Sequence, residues 1–382
     1  MKVQIITLFI AFILLSGFYE KSGASLDSRD IKWIVKLSMP FSMDAGCVVK
    51  QTHDEGYIAV VVSAKIFTIH HTSCILQIIK LDEEGKREWE KSYTTRYFDE
   101  NVDLCITNDE RYVILARKDN EMFMVKLDTN GNEMWNKTYP INASIISFIQ
   151  CEDNKFLFTA KVNDSYYMLI KTDENGNEIW RKNYTYRTIV AKLKDGYIIA
   201  ESPTIYTRNY TILAKYNWDD ELLWIKKLYG ITDISGVGGT EDFFAFKPHS
   251  FFKFDKEGHL EWKKEVNDFS IFSCILCMDG GFLLAGASYI RGKGIASILK
   301  LDEKGNEEWK KMYLLPRYSI GNGFLLYELF FTDSVETNDG FVMMAQRMAS
   351  PNALFVKIPA FFIVLILASF WKTDVFLMKI SP

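Results

Sequence analysis

Val125–Tyr139 reads V-K-L-D-T-N-G-N-E-M-W-N-K-T-Y, and the same sentence is written three more times along the chain. Ile79–Tyr93 is I-K-L-D-E-E-G-K-R-E-W-E-K-S-Y, Ile170–Tyr184 is I-K-T-D-E-N-G-N-E-I-W-R-K-N-Y, and Leu299–Tyr313 is L-K-L-D-E-K-G-N-E-E-W-K-K-M-Y. Looser copies carry Asp255, Gly258 and Trp262, or Asn217, Asp220 and Trp224. Each copy spells a strand, a tight turn and a second strand. In the first, Phe123, Val125 and Leu127 face one way and Met124 and Lys126 the other, because strand side chains alternate. The glycine supplies the positive φ of the turn, and the aspartate caps its own backbone. The polar alternation around Trp135, Lys137 and Tyr139 marks a half-solvated, outermost strand.

The repeat tryptophans, Trp89, Trp135, Trp180, Trp224, Trp262 and Trp309, recur every 38 to 47 residues. That period matches one four-stranded propeller blade, which buries its faces only against its neighbours. No unit holds a stretch of helical period long enough for a crossover helix. A further apolar strand, entered through an acidic or glycine turn, precedes each pair, at Gly56–Val60, Tyr112–Ala116, Phe156–Ala160, Gly196–Ala200, Phe243–Phe246, Phe282–Ala285 and Phe341–Ala345. The lysines before the turn also number seven: Lys80, Lys126, Lys171, Lys215, Lys253, Lys300 and Lys379.

The tryptophans number only six, and Trp33 in D-I-K-W-I-V-K-L is the missing one. The last copy stops at Asp374–Ile380, with no outer strand after it. The two ends are therefore two parts of one blade, with the segment around Trp33 as outer strand and residues 328–380 as the inner three. Such an overlap leaves no unpaired edge where the ring meets itself. The expected fold is all-β, a seven-bladed β-propeller over 25–382 closed by its N-terminal strand.

Composition agrees. Phe and Tyr number 28 and 19, suiting large intersheet contacts. A net charge of −4 gives no electrostatic case for nucleic acid. Residues 1–24, with Lys2 ahead of a mostly apolar run and small residues at Gly23-Ala24-Ser25, read as a secretory signal peptide, the alternative being an uncleaved membrane anchor over 1–18. Either places the protein outside the cell or on its surface.

Connections after second and fourth strands share one face of a propeller. Here they are long and varied, whereas the D-x-x-G turns of the other face are uniform. Binding residues concentrate on loops held by a rigid frame, so candidate contacts lie on the varied face. They are His70 and His71 in 61–73; Tyr93, Arg96 and Tyr97 in 93–101; Tyr206 and Arg208 in 201–209. Tyr289 and Arg291 follow in 287–294, Arg317 and Tyr318 in 313–325, and Arg347 and Trp371 in 346–373. The last segment is an apolar insertion in blade 7. Its run Ile358–Trp371 is too short to span a bilayer as a helix, which takes about 20 residues. Phe361, Phe362, Leu365 and Phe370 make it a plug for one face of the ring or a contact for membrane or a partner.

The chemistry is sparse. Adjacent His70 and His71 point apart on a strand, and no H-E-x-x-H pattern exists. The acidic turns lack the ligand run of a calcium loop, so no metal site and no cofactor is expected. The six cysteines match no dense disulfide framework; Cys151 and Cys277 read as small buried hydrophobes. Gly236, Gly238 and Gly239 read as turn residues. The inner strands Cys47–Val49, Ile145–Ile149, Ile189–Ala191 and Phe272–Leu276 are chiefly apolar, whereas an enzyme on this fold holds polar groups there.

The unit [VI]-K-L-D-x-x-G-N-x-x-W-x-K-x-Y after D-G-[GFY] resembles the repeats of uncharacterised exported β-propellers of archaea and bacteria. It is more distantly similar to quinoprotein-type and WD-like blades. The resemblance spans residues 30–380. It implies a propeller, but the adjacent cysteine pair of quinoprotein dehydrogenases is missing here, and no position carries over as a cofactor ligand. The reading is a binding or assembly module of the cell envelope, recognising a protein or glycan partner on its varied face, with membrane contact through 358–371 as one use of the insertion. The competing class is an enzyme, glycan-processing or quinone-dependent, with its site in the channel mouth.

Overall fold

The computed structural model describes residues 31–37, 42–68, 71–96, 101–163, 166–203, 210–231, 234, 236–290, 293–313, 318–320, 323–325, 327–349 and 374–380. Seven four-stranded antiparallel sheets form a ring, and no helix occurs among these residues. Blade 1 is built from Ser42–Gln51, Tyr57–Thr68, His71–Leu81 and Arg87–Thr95. Blades 2 to 6 follow at 103–139, 144–184, 187–229, 236–265 and 269–313. Blade 7 takes Tyr327–Thr337, Gly340–Ala349 and Asp374–Ile380 from the end of the chain, and Ile31–Lys36 as its outer strand. Trp33 pairs with Lys379 and Lys36 with Phe376. The closure expected from counting tryptophans is present, with each end of the chain supplying what the other lacks.

Because the sheets stand radially, the core is divided among the seven blade interfaces, each with its own apolar cluster. Alternation within one strand serves two interfaces. Phe123, Val125 and Leu127 pack toward blade 1, whereas Met122 and Met124 pack toward blade 3.

The recurring residues turn out to be inter-blade parts. Trp33, Trp89, Trp224 and Trp262 each donate their indole N–H to a carbonyl in the next blade's outer turn: those of Glu83 at 3.2 Å, Thr129 at 2.9 Å, Lys256 at 3.3 Å and Glu303 at 3.1 Å. Each ring lies over that turn's glycine. At Gly131, φ is +79°, and a Cβ would sit 2.8 Å from the Trp89 ring. Left-handed backbone and the lack of room thus demand glycine there for two separate reasons. Asp128 caps the turn as expected, accepting from the backbone N–H of Asn130 at 2.9 Å and of Asn132 at 2.8 Å.

The seven lysines, five of them buried and Lys126 and Lys253 partly so, tie strand three to a turn carboxylate. Lys80 meets Asp54 and Glu88, both at 2.8 Å. The equivalent pairs are Lys126–Asp109, Lys215–Asp195, Lys253–Asp242, Lys300–Asp279 and Lys379–Asp339. Blade 3 departs. Its Asp153 pairs with Lys155, and Lys171 crosses to Asp220 of blade 4 at 2.7 Å. Asp220 occupies the turn position held elsewhere by glycine, at φ +64°. The blade 4 turn looks degraded in sequence but keeps the common hydrogen bonds, Asn217 N to Glu221 O and Asp220 N to Asn217 O.

Gly236–Gly239 forms the inner strand of blade 5, not a turn. The aromatic rings of Phe246 and Phe244 lie where a Cβ on Gly236 or Gly238 would be, at 2.3 and 2.6 Å. These glycines make room for the phenylalanines of their own sheet. Cys74, Cys151 and Cys277 are buried, and with Cys105 and Cys274 they are free thiols.

Candidate functional site

Two places hold polar chemistry on a rigid frame: the central channel and the face opposite the D-x-x-G turns.

The channel wall is made by the inner strands, whose outer edges have no sheet partner. Side chains from the preceding blade supply one. Asp333 of blade 7 accepts the Val49 N–H of blade 1 at 2.9 Å and the Ser273 hydroxyl of blade 6 at 3.2 Å. Ser147 of blade 3 accepts the Val190 N–H of blade 4 at 2.8 Å. Asp103 of blade 2 accepts the Phe148 N–H of blade 3. Two of these acceptors, Ser147 and Asp333, and the donor Ser273 sit at irregularities in strand register, at Ile145/Ser147, Phe331/Asp333 and Ile271/Ser273. The extra residue of a bulge re-aims the side chain that follows it.

Lys50 enters the channel between Asp103 and Asp333. Burial pushes its ammonium down, yet the two carboxylates hold it above the ordinary lysine range. Burial pushes Asp103 up to about 6 in spite of Lys50. Burial and the Asp103 charge push the Cys105 thiol to about 12, which leaves it protonated near neutrality. The apolar inner segments read from sequence end one residue short of Lys50 and omit Asp103 and Asp333, so they understate the channel's polarity. The arrangement exchanges a proton at Asp103 and otherwise satisfies itself, two carboxylates around one ammonium. Among the described residues no group of three or more His, Cys, Asp or Glu side chains has metal-binding geometry.

A raised carboxyl pKa works against the fold as pH rises. Between about 4 and 6 the folded chain holds a proton on Asp103 that the unfolded chain has released, so that site's contribution falls across this window. Asp103→Asn keeps an oxygen for the Phe148 N–H and removes the titration. Its stability relative to wild type should therefore rise by roughly 1–2 kcal/mol from pH 4 to pH 7, read from urea unfolding midpoints at each pH. A difference that is flat with pH would exclude Asp103 as the titrating group.

On the opposite face the blades are unequal. Second and third strands number 12 and 11 residues in blade 1, and 9 and 9 in blade 6. They shrink to 7 and 7 in blade 2 and 5 and 5 in blade 5. The second strand of blade 7 has 10. Ion pairs such as Lys80–Asp54 anchor the hairpins of blades 1, 6 and 7 at the turn end, so the excess emerges on the other face. Four or five extra residues at about 3.3 Å each raise the blade 1 hairpin by roughly 15 Å. A small antiparallel pair, Tyr318–Ile320 with Gly323–Leu325, lies between blades 6 and 7 in the chain. Ring closure sets blades 6, 7 and 1 side by side, which turns these extensions into one raised sector.

The sequence candidates fall unevenly on this frame. His71, Tyr289, Tyr318 and Arg347 lie in strands rather than loops, paired with Thr68, Gly294, Leu325 and Asp374. Within 61–73, residues 61–68 and 71–73 are accordingly paired strands, because Ile66-Phe67-Thr68 continues the strand pattern. The second strand of blade 7 likewise runs on to Ala349. Arg96 is exposed just past the blade 1 outer strand. Tyr93 belongs to the frame, its hydroxyl donating to Glu133 at 2.7 Å and its ring edge-on to Phe123 at 5.3 Å. His70, Tyr97, Tyr206, Arg208, Arg291 and Arg317 lie outside the described residues, as do Phe361, Phe362, Leu365, Phe370 and Trp371.

No protein-family model and no curated protein matches the chain. Solved propellers do. The WD40 domain of Pan2 from Neurospora crassa matches with a TM-score of 0.54 at 10% identity, over 94% of this chain and 98% of its own. The Dos1 propeller matches with a TM-score of 0.53 at 8% identity, over 92% and 94%. A quinoprotein alcohol dehydrogenase-like protein from Bacteroides thetaiotaomicron aligns at 12% identity with a TM-score of 0.49, over 70% of this chain and 66% of that one. The likeness is one of fold. At such identities it assigns no ligand and no reaction.

Proposed function

We propose that this chain is a non-catalytic binding module of the cell envelope whose protein partner seats against the raised sector of blades 6, 7 and 1. The observation that carries the reading is that sector itself: three neighbouring blades lengthen on the same face, while the opposite face is taken up by indole, glycine and lysine contacts that hold the ring. Most candidate contacts from the sequence, namely His70, His71, Tyr289, Arg291, Arg317, Tyr318, Arg347 and Trp371, belong to these blades or their connections. In sequence, the apolar run Ile358–Trp371 falls between Ala349 and Asp374, the ends of two paired blade 7 strands. Lys2 and the apolar run behind it support export.

The test is fractionation of the native host expressing three forms. One is the intact chain, one has Ile358–Trp371 replaced by a short polar loop, and one has the blade 1 hairpin shortened across residues 65–72. Intact protein should sediment with the envelope, and both variants should be released while still folded. N-terminal sequencing of each fraction reports whether residues 1–24 are removed. If all three forms distribute alike, the raised sector is not the docking surface.

A further inference from the structure

The outer strands form the rim of the ring, and each has one edge without a sheet partner among the described residues. Exposed edges invite strand addition and are ordinarily blunted by charge. Five of the seven carry a charge beside the repeat tryptophan, with Glu88 and Glu90, Arg181, Glu261 and Lys263, Glu308 and Lys310, or Lys32, and blade 2 carries the polar Asn136. Blade 4 has neither. Its outer strand, Leu222–Tyr229, places Leu223 and Ile225 on either side of Trp224, with Leu222 ahead of them. Leu222, Leu223 and Ile225 are 52%, 49% and 59% exposed, and Tyr229 is 72% exposed. The inner edge of this strand pairs with Tyr210–Asn217, and no strand covers its outer edge among the described residues.

The charges beside the apolar run indicate what covers it. Lys226 lies 5.9 Å from the Trp224 ring centroid and Lys227 lies 5.0 Å from that of Tyr210. The aromatic faces hold both ammonium groups at the strand, and neither forms an ion pair with a carboxylate among the described residues. A second copy pairing antiparallel about Ile225 would set Lys226 opposite Trp224 and Lys227 opposite Leu223, leaving all four ammonium groups without the opposite charge that stabilises a cross-strand pair. We infer that the outer edge of blade 4 takes up an extended segment of another protein as a fifth strand, with two adjacent acidic residues facing Lys226 and Lys227 and three or four apolar β-branched residues along Leu222–Ile225. Main-chain hydrogen bonds supply the affinity in this mode of recognition, and the side chains supply the selection. The edge lies outside the raised sector, so this inference stands or falls independently of the reading above.

The probe is a fluorescein-labelled peptide, T-E-E-I-V-I-V-T, with blocked ends, titrated with the full chain. Saturable anisotropy and slowed amide exchange over 222–229 are the expected results. Ile225→Glu should weaken binding at least tenfold without moving the thermal unfolding midpoint, since that side chain is exposed. The double variant Lys226→Glu/Lys227→Glu should prefer a probe whose two glutamates are lysines, reversing the wild-type order. Blocking alternate amides of the probe by N-methylation should abolish binding. Equal binding of the acidic and basic probes, or undiminished binding of the N-methylated one, would overturn the inference. So would a dimer of the chain alone that Ile225→Glu disperses, because the occupant would then be a second copy.

Discussion

Asp220→Ala should lower the unfolding free energy by about 3–5 kcal/mol, the cost of leaving a buried charge without its partner. Lys171 is buried at 3% exposure, and its ammonium lies 2.7 Å from Asp220 Oδ1. The Tyr197 hydroxyl donates to the same oxygen at 2.9 Å, and the Trp180 indole N–H donates to Oδ2 at 3.3 Å. Burial pushes the Asp220 carboxyl up, but bonds from Lys171 and Tyr197 hold it below the usual range. One side chain therefore gathers donors from strand three and strand four of blade 3 and from strand two of blade 4.

Companion variants separate charge from backbone. Asp220→Gly suits the φ of +64° and resembles the glycine turns of the other blades, yet it should still lose most of the stability, because Lys171 stays unpaired. Asp220→Asn keeps oxygen acceptors for Tyr197 and Trp180 and should be intermediate. Lys171→Met in the Asp220→Gly background removes the stranded ammonium and should recover at least half of the loss, since buried ion pairs are often replaceable by apolar groups. The measurement is urea unfolding followed by tryptophan fluorescence. If Asp220→Gly is as stable as wild type, the crossed pair contributes nothing and blade 3 needs no carboxylate from its neighbour.

Removing residues 1–37 should open the ring. Blade 7 would lose its outer strand, the edge Asp374–Ile380 would be unpaired, and blade 1 would lose the Trp33 ring from Gly85 and Tyr57, whose ring centroid lies 5.6 Å from that of Trp33. The expected products are higher-order species on sizing and the loss of a single cooperative transition. Trp33→Ala is the milder form and should cost about 2–3 kcal/mol, below the usual figure for a buried tryptophan because Trp33 is only partly buried. Closure also has a pH signature. Lys32 at 2.6 Å and Lys379 at 2.8 Å hold Asp339 well below the ordinary carboxylate range. A depressed carboxyl stabilises the fold above its unfolded value near 4, and that contribution is lost as pH falls further. Amide exchange over Ile31–Lys36, corrected for its intrinsic pH dependence, should therefore accelerate below about pH 4 before the rest of the ring responds. A truncated chain that stays monomeric and unfolds cooperatively near the wild-type midpoint would rule out closure as the main lock.

Much of this was legible in the sequence because propeller repeats are local. A strand–turn–strand unit writes its alternation, its turn glycine and its capping aspartate within about fifteen residues, so blade number, strand order and even the pairing of the chain ends follow from counting. The contacts between units are not local. Nothing within Ile170–Tyr184 says that Lys171 would leave its own blade for Asp220, and Asp220 reads there as a spoiled turn. Gly236 and Gly238 look like loop residues until Phe246 and Phe244 are seen filling the space they vacate. Lys50, Asp103 and Asp333 are remote along the chain, and only the closed ring places one ammonium between two carboxylates.

The functional faces divide in the same way. Period, strand pattern and the overlap of the ends were determined by the sequence alone, since each is a property of one repeat or of a count of repeats. The height of individual hairpins, the neighbourhood of blades 6, 7 and 1, and the uncovered apolar edge of blade 4 were decided by the tertiary structure. The radial packing of sheets sets which end of a hairpin is anchored, and closure of the ring sets which surfaces become neighbours.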